Sequence, residues 1–131
     1  MDEQALQERL FKVGVPEHTI GGLARYVCYG TPTGGFLQAV LENKLLQAYQ
    51  RADDMNFEAM FEIVGAIYNE VPNGCHGSPE KVEAWIAHEG MRGIEIGWWL
   101  EKERKWLEAE SDIGDREYDR KRDDELTEVE V

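Results

Sequence analysis

Apolar residues recur along this chain at three- and four-residue steps, and no stretch alternates convincingly with period two. That pattern predicts helices and no sheet. Leu6, Leu10 and Val13 stand at i, i+4 and i+7 and predict a helix over 3–13, closed by Gly14. Pro16 opens a second helix, where its missing N–H does no harm, and Glu17 suits the positive end of the helix dipole. Ile20, Leu23 and Val27 form its stripe and Gly30 ends it. Gly21 and Gly22 each weaken that helix by about 1 kcal/mol relative to Ala, so they are read as points of close helix–helix approach.

Thr31-Pro32-Thr33-Gly34-Gly35 reads as a turn, with Thr33 capping a helix over 34–51. Phe36, Leu37, Val40, Leu41, Leu45, Ala48 and Tyr49 give that helix the wide apolar face of an element central to a bundle. Asp53 or Asp54 caps the next helix, 55–70, whose stripe is Phe57, Met60, Phe61, Val64, Ile67 and Tyr68. Pro72-Asn73-Gly74 stops it. Ser78 as N-cap and Pro79 at the first helical position start a short helix that turns Val82, Trp85 and Ile86 inward and ends near Gly90. Residues 90–97 read as a linker or broken helix. A last helix, 94–110, aligns Ile96, Trp99, Leu100, Trp106 and Leu107, with Trp98 beside the stripe. The expected architecture is all-α: a compact bundle of five to six helices with a charged, flexible C-terminal tail. Its helical domain covers 1–110, made of a core module (16–90) and the appended Trp-rich helix (94–110). The acidic tail, 111–131, has too few apolar groups to offset the entropy of ordering.

Length and charge narrow the partners. The chain has 131 residues, 42% of them hydrophobic, enough for one core without metal or disulfides. Twenty-seven acidic residues face fourteen basic ones, a net charge of −13, which repels nucleic acid and anionic membrane. A basic protein, or one whose surface normally holds phosphate, suits this field, although solubility is the commoner reason for such charge. No apolar run approaches the roughly 20 residues of a membrane span. The acidic N-terminus lacks the basic and apolar regions of a signal peptide, so a cytoplasmic protein is expected. Cys28 and Cys75 then read as free thiols.

Candidate chemistry is sparse. Cys75 adjoins His76, but neighbours in a turn point apart, and no positive charge surrounds the thiol to activate it. Cys75, His76 and His88 fall short of the four ligands and the spacing of structural zinc. Gly34-Gly35 lacks the lysine and preceding strand of a phosphate loop. No catalytic residue, metal or cofactor is expected. Thr31, Thr33, Asn43, Arg51, Asp53 and Asn69 read as caps and interhelix hydrogen bonds rather than as a pocket lining. Two features point to surface contact instead. Asp53, Asp54, Glu58 and Glu62 follow one helical side, continued by Glu101 and Glu108, and carboxylates 5–6 Å apart imitate a phosphate track. Trp98 and Trp106 belong to a cluster of three tryptophans, a residue type enriched at binding hot spots.

Residues 16–87 resemble a family of small, uncharacterised proteins encoded by tailed bacteriophages and related mobile elements. The similarity is carried by His18-Thr19-Ile20-Gly21-Gly22-Leu23, Arg25-Tyr26-Val27, Gly30 through Leu37, Ala39-Val40-Leu41-Glu42-Asn43, Arg51-Ala52-Asp53, Tyr68-Asn69-Glu70 and Gly77 through Val82. His76 departs from the pattern, which has an aromatic residue in that turn. The resemblance implies an accessory protein made in a bacterial cytoplasm and brings no activity with it. Taken with the charge and the tryptophans, it leads to the expectation of a non-catalytic inhibitor or adaptor that binds a host protein, plausibly of antiviral defence. A small-molecule or nucleotide-sequestering protein with a pocket at Gly34-Gly35, and a homo-oligomeric phage component such as a homodimer, are the alternatives.

Overall fold

The computed structural model describes residues 1–96, and every regular element among them is helical. In chain order these are α1 (Glu3–Lys12), α2 (Glu17–Tyr29), α3 (Gly35–Leu41), α4 (Leu45–Arg51), α5 (Asp54–Glu58) and α6 (Met60–Glu70). A single 3-10 turn (Asn73–Cys75) leads into α7 (Pro79–Ala87) and α8 (Gly90–Glu95). The all-α class read from the periodicity is the class observed. No helix among the described residues is long and apolar enough to cross a membrane. The acidic tail, 111–131, and all but residues 94–96 of the Trp-rich helix lie outside the described residues.

Local chemistry accounts for most boundaries. Asp2 starts α1 by accepting from the Gln4 N–H. Gly14, at φ +101°, ends it: the Gly14 N–H donates to the Phe11 carbonyl and the Val15 N–H to the Leu10 carbonyl. Val15 and Leu10 are both buried, the hydrophobic contact that accompanies this kind of cap. Ser78 caps α7 by accepting from Lys81 N–H, and Asp53 caps α5 by accepting from Asn56 N–H.

The core gathers around α2. Ile20, Leu23 and Val27 meet Leu6 and Leu10 of α1, Leu37 and Leu41 of α3, Ile63 and Ile67 of α6, and Val82 and Trp85 of α7. Its two largest residues are buried with their polar atoms satisfied. Trp85 Nε1 donates to the Tyr26 carbonyl at 2.9 Å, and Tyr26 Oη donates to the Cys75 carbonyl at 2.6 Å. That relay joins α2 to the 3-10 turn and α7. It also lets two amphipathic rings lie in apolar surroundings without leaving unsatisfied donors.

The close approach expected at Gly21 and Gly22 occurs elsewhere. A methyl at Gly22 would make only ordinary contact with Leu37, and one at Gly21 would face the Arg25 guanidinium. It is Gly30 that touches backbone: a Cβ there would lie 2.8 Å from Gly90 N, and 2.9 Å from both Glu89 Cα and the Trp85 carbonyl oxygen. Gly30 and Gly90 both have positive φ, +71° and +66°, so each is needed for conformation as well as space. The contact accompanies the packing of Gly90–Glu95 as α8 against α2, where a linker or broken helix was expected over 90–97.

Two predicted helices are each divided. The 34–51 helix breaks after Leu41, because Asn43 adopts a left-handed conformation (φ +66°) and closes α3. The Asn43 N–H donates to the Val40 carbonyl and the Lys44 N–H to the Ala39 carbonyl, the pairing that caps helices at a glycine or asparagine. The 55–70 helix is interrupted at Ala59 (φ −96°, ψ 16°), which separates α5 from α6. Thr33 does not cap α3: Gly34 holds the N-cap position without a side-chain hydrogen bond, and the Thr33 hydroxyl donates to the Gly34 carbonyl.

Candidate functional site

The break at Asn43 decides what the middle of the chain exposes. In one continuous helix, Leu45 and Tyr49 would extend the stripe of Leu37 and Leu41 into the core. After the break α4 buries only Ala48, while Leu45, Leu46 and Tyr49 face outward. The stripe assigned to 55–70 divides in the same way. Met60, Ile63 and Ile67 are buried, but Phe57, Phe61, Val64 and Tyr68 are exposed, with Phe61 at 85% and Tyr68 at 76%. The sequence reading put all of these except Leu46 and Ile63, which it left unassigned, on core-facing stripes. The structure corrects it, because α6 carries apolar residues around more of its circumference than the neighbouring helices cover.

Leu45, Tyr49, Phe57, Phe61, Val64 and Tyr68 make up one face. The Tyr49 and Phe57 rings meet edge to face, with centroids 5.3 Å apart. On α6, Phe61, Val64 and Tyr68 follow one another at i, i+3 and i+7. Leu45, Val64 and Tyr68 border a common cavity of about 340 Å³ between the Asn43 break, α4 and α6. Val40, Ala48, Met60 and Ile67 line its apolar wall, and Asn43, Lys44, His76 and Gly77 supply its polar lining. Burial, and to a smaller extent the nearby Lys81, holds His76 below the ordinary histidine pKa. Its Nε2 is buried without a hydrogen-bond partner among the described residues. The Lys44 ammonium lies 3.2 Å from Glu42. Single exposed leucines need no account, but a contiguous patch of this extent on one side of a small domain marks a contact surface.

The predicted acidic series is only partly placed for contact. Asp53 is occupied by the fold. It accepts from Asn56 N–H at 2.8 Å and from His18 Nε2 at 2.7 Å, and these bonds hold its carboxyl below the usual aspartate range. Alongside, the Thr19 hydroxyl donates to Asn56 Oδ1 in a buried bond that fixes α5 on α2. Glu62 is half-buried and lies over Gly14, where an added Cβ would come within 2.9 Å of its Cγ. Asp54 and Glu58 are exposed and flank Phe57 on α5. Trp98, Glu101, Trp106 and Glu108 lie outside the described residues. The aromatic face is thus the component that sequence reasoning missed. Asn43 was its available signal, an asparagine followed by lysine in the middle of a long apolar pattern.

The residues weighed for catalysis or metal do not converge. Cys75 is fully buried, and burial pushes its thiol pKa far up, opposite to what a nucleophile requires. His88 is buried against Trp85, with ring centroids 4.9 Å apart. Among the described residues no group of three His, Cys, Asp or Glu side chains could hold a metal ion. Gly34 and Gly35 are exposed and take no part in lining the cavity. Arg51, which the sequence suggested for bracing, donates to the Gly35 carbonyl at 3.4 Å.

Among the described residues, fold and site together define an all-helical protein with an apolar, aromatic face and a cavity in it. Compared with known proteins, the chain matches no family model, no curated protein and no solved structure.

Proposed function

We propose that this chain is a non-catalytic adaptor or inhibitor that binds a basic partner protein through the α4–α6 face. In keeping with the phage resemblance of residues 16–87, the partner is a host protein, plausibly one of antiviral defence. The observation that carries the reading is the contiguous exposure of Leu45, Tyr49, Phe57, Phe61 and Tyr68, large side chains that a monomer gains nothing by leaving in water. The partner's sign follows from charge. Fourteen acidic and seven basic residues fall within 1–96, and Asp54 and Glu58 border the aromatic row. Complementary charge sets the encounter rate and rejects wrong partners, while the apolar contacts supply affinity.

The test compares the native chain with Phe61→Glu and Tyr68→Glu as baits in a bacterial lysate, followed by binding measurements on the purified pair. The expected outcome is a cationic protein retained by the native chain and lost by both variants, with all three proteins equally folded. Equal recovery by native and substituted chains, or turnover of a substrate by the purified protein, removes the reading.

A further inference from the structure

The cavity lies within the exposed face, and this placement narrows what binds there. We infer that it is an anchor pocket, filled by one bulky apolar side chain from a lysine- or arginine-flanked amphipathic helix of the partner. The inference rests on the docking function proposed above and adds the chemistry of the bound segment.

Size and lining fit a side chain. The volume of about 340 Å³ is enough to admit the largest side-chain group, an indole. Its wall of Val40, Ala48, Met60 and Ile67 offers an aliphatic surface to an indole, phenyl or isobutyl group. Shape fits a helix. The eleven residues of α6 extend about 16 Å, three turns, and carry Phe61, Val64 and Tyr68 beside the cavity, a length that matches two turns of a bound amphipathic helix. Charge selects the flanks. Asp54 and Glu58 stand at an i, i+4 interval beside Phe57 and suit cationic residues on the incoming helix. Two copies of a chain of net charge −13 repel one another, which favours a cationic partner over self-association.

Two synthetic peptides test this on the full-length protein: a lysine-flanked amphipathic helix with one central tryptophan, and the same peptide with that tryptophan replaced by alanine. Indole alone serves as the side-chain probe. The tryptophan peptide is expected to bind about thirtyfold more tightly than the alanine peptide, the span of one hot-spot side chain. Indole is expected to shift the amide resonances of Ala48, Val64 and His76. Val64→Trp, which occludes the cavity mouth from a half-exposed position, should abolish both the indole shifts and the difference between the peptides. Equal affinity of the two peptides, lost on Phe61→Glu, overturns the anchor pocket while leaving the docking face standing. Peptide binding that is absent, or indifferent to Phe61→Glu, removes the face and the pocket together. A Phe61-dependent dimer in light scattering overturns the inference in favour of a second copy.

Discussion

The α2–α7 side of the protein and the α4–α6 side use the same residue types to opposite ends. On the first, Tyr26 and Trp85 are wholly buried, their polar atoms bonded to backbone, and Gly30 meets Gly90 with no space for a side chain. On the second, Tyr68, Phe57 and Phe61 stand in water and Gly65 has open space about it. Aromatic and glycine content does not distinguish the two sides. What distinguishes them is whether another element covers the apolar surface, so substitutions should act through stability on one side and through binding on the other.

The contrast is broken most directly at Trp85. Trp85→Ala removes the largest core side chain and the donor to Tyr26, and should destabilise the fold by about 3–5 kcal/mol, read from the urea midpoint. Gly90→Ala should follow at roughly 2–4 kcal/mol, since it adds both a positive-φ penalty and a backbone clash. Gly65→Ala on the open side should do the reverse and stabilise by about 0.5–1 kcal/mol, because α6 has room there. An equal loss in both glycine variants would erase the distinction between the two sides.

The elbow that creates the open side can be tested at one residue. Asn43→Val places a β-branched side chain at φ +66° and should cost about 1–2 kcal/mol, whereas Asn43→Gly should be near neutral. A stable valine variant would mean that another feature divides α3 from α4. A smaller effect concerns pH. Burial lowers the His76 pKa in the folded state, so the unfolded chain takes up that proton first as pH falls. His76 therefore leaves stability unchanged above the ordinary histidine value of about 6.5 and erodes it below, until the folded-state pKa is reached. His76→Gln should flatten that part of a stability–pH curve, and an unchanged slope would exclude His76 as its source. Phe61→Glu should have the least effect on stability, within about 0.5 kcal/mol, while abolishing partner binding. A large loss of stability would place Phe61 in the core after all.

How far the chain can be read without coordinates depends on the range of each interaction. The helical class, Ser78-Pro79 and Asp53 as start signals, and Gly14 and Gly30 as stops were legible, because a period of 3.6 and a capping hydrogen bond are set by residues a few positions apart. The candidate site was largely illegible. Phe61 and Tyr68 have the spacing of a core stripe, and periodicity marks which residues share a helical side without saying whether anything covers it.

Sequence alone determined that the described residues are all-α and that Asp53, Ser78, Gly14 and Gly30 mark helix ends. Tertiary structure alone decided that Gly30 and Gly90 meet while Gly21 and Gly22 do not, and that one aromatic row stays in solvent. The physical reason is that burial belongs to pairs of elements. A hydrophobic side chain is removed from water only when a distant part of the chain arrives to cover it, and no local pattern records that arrival.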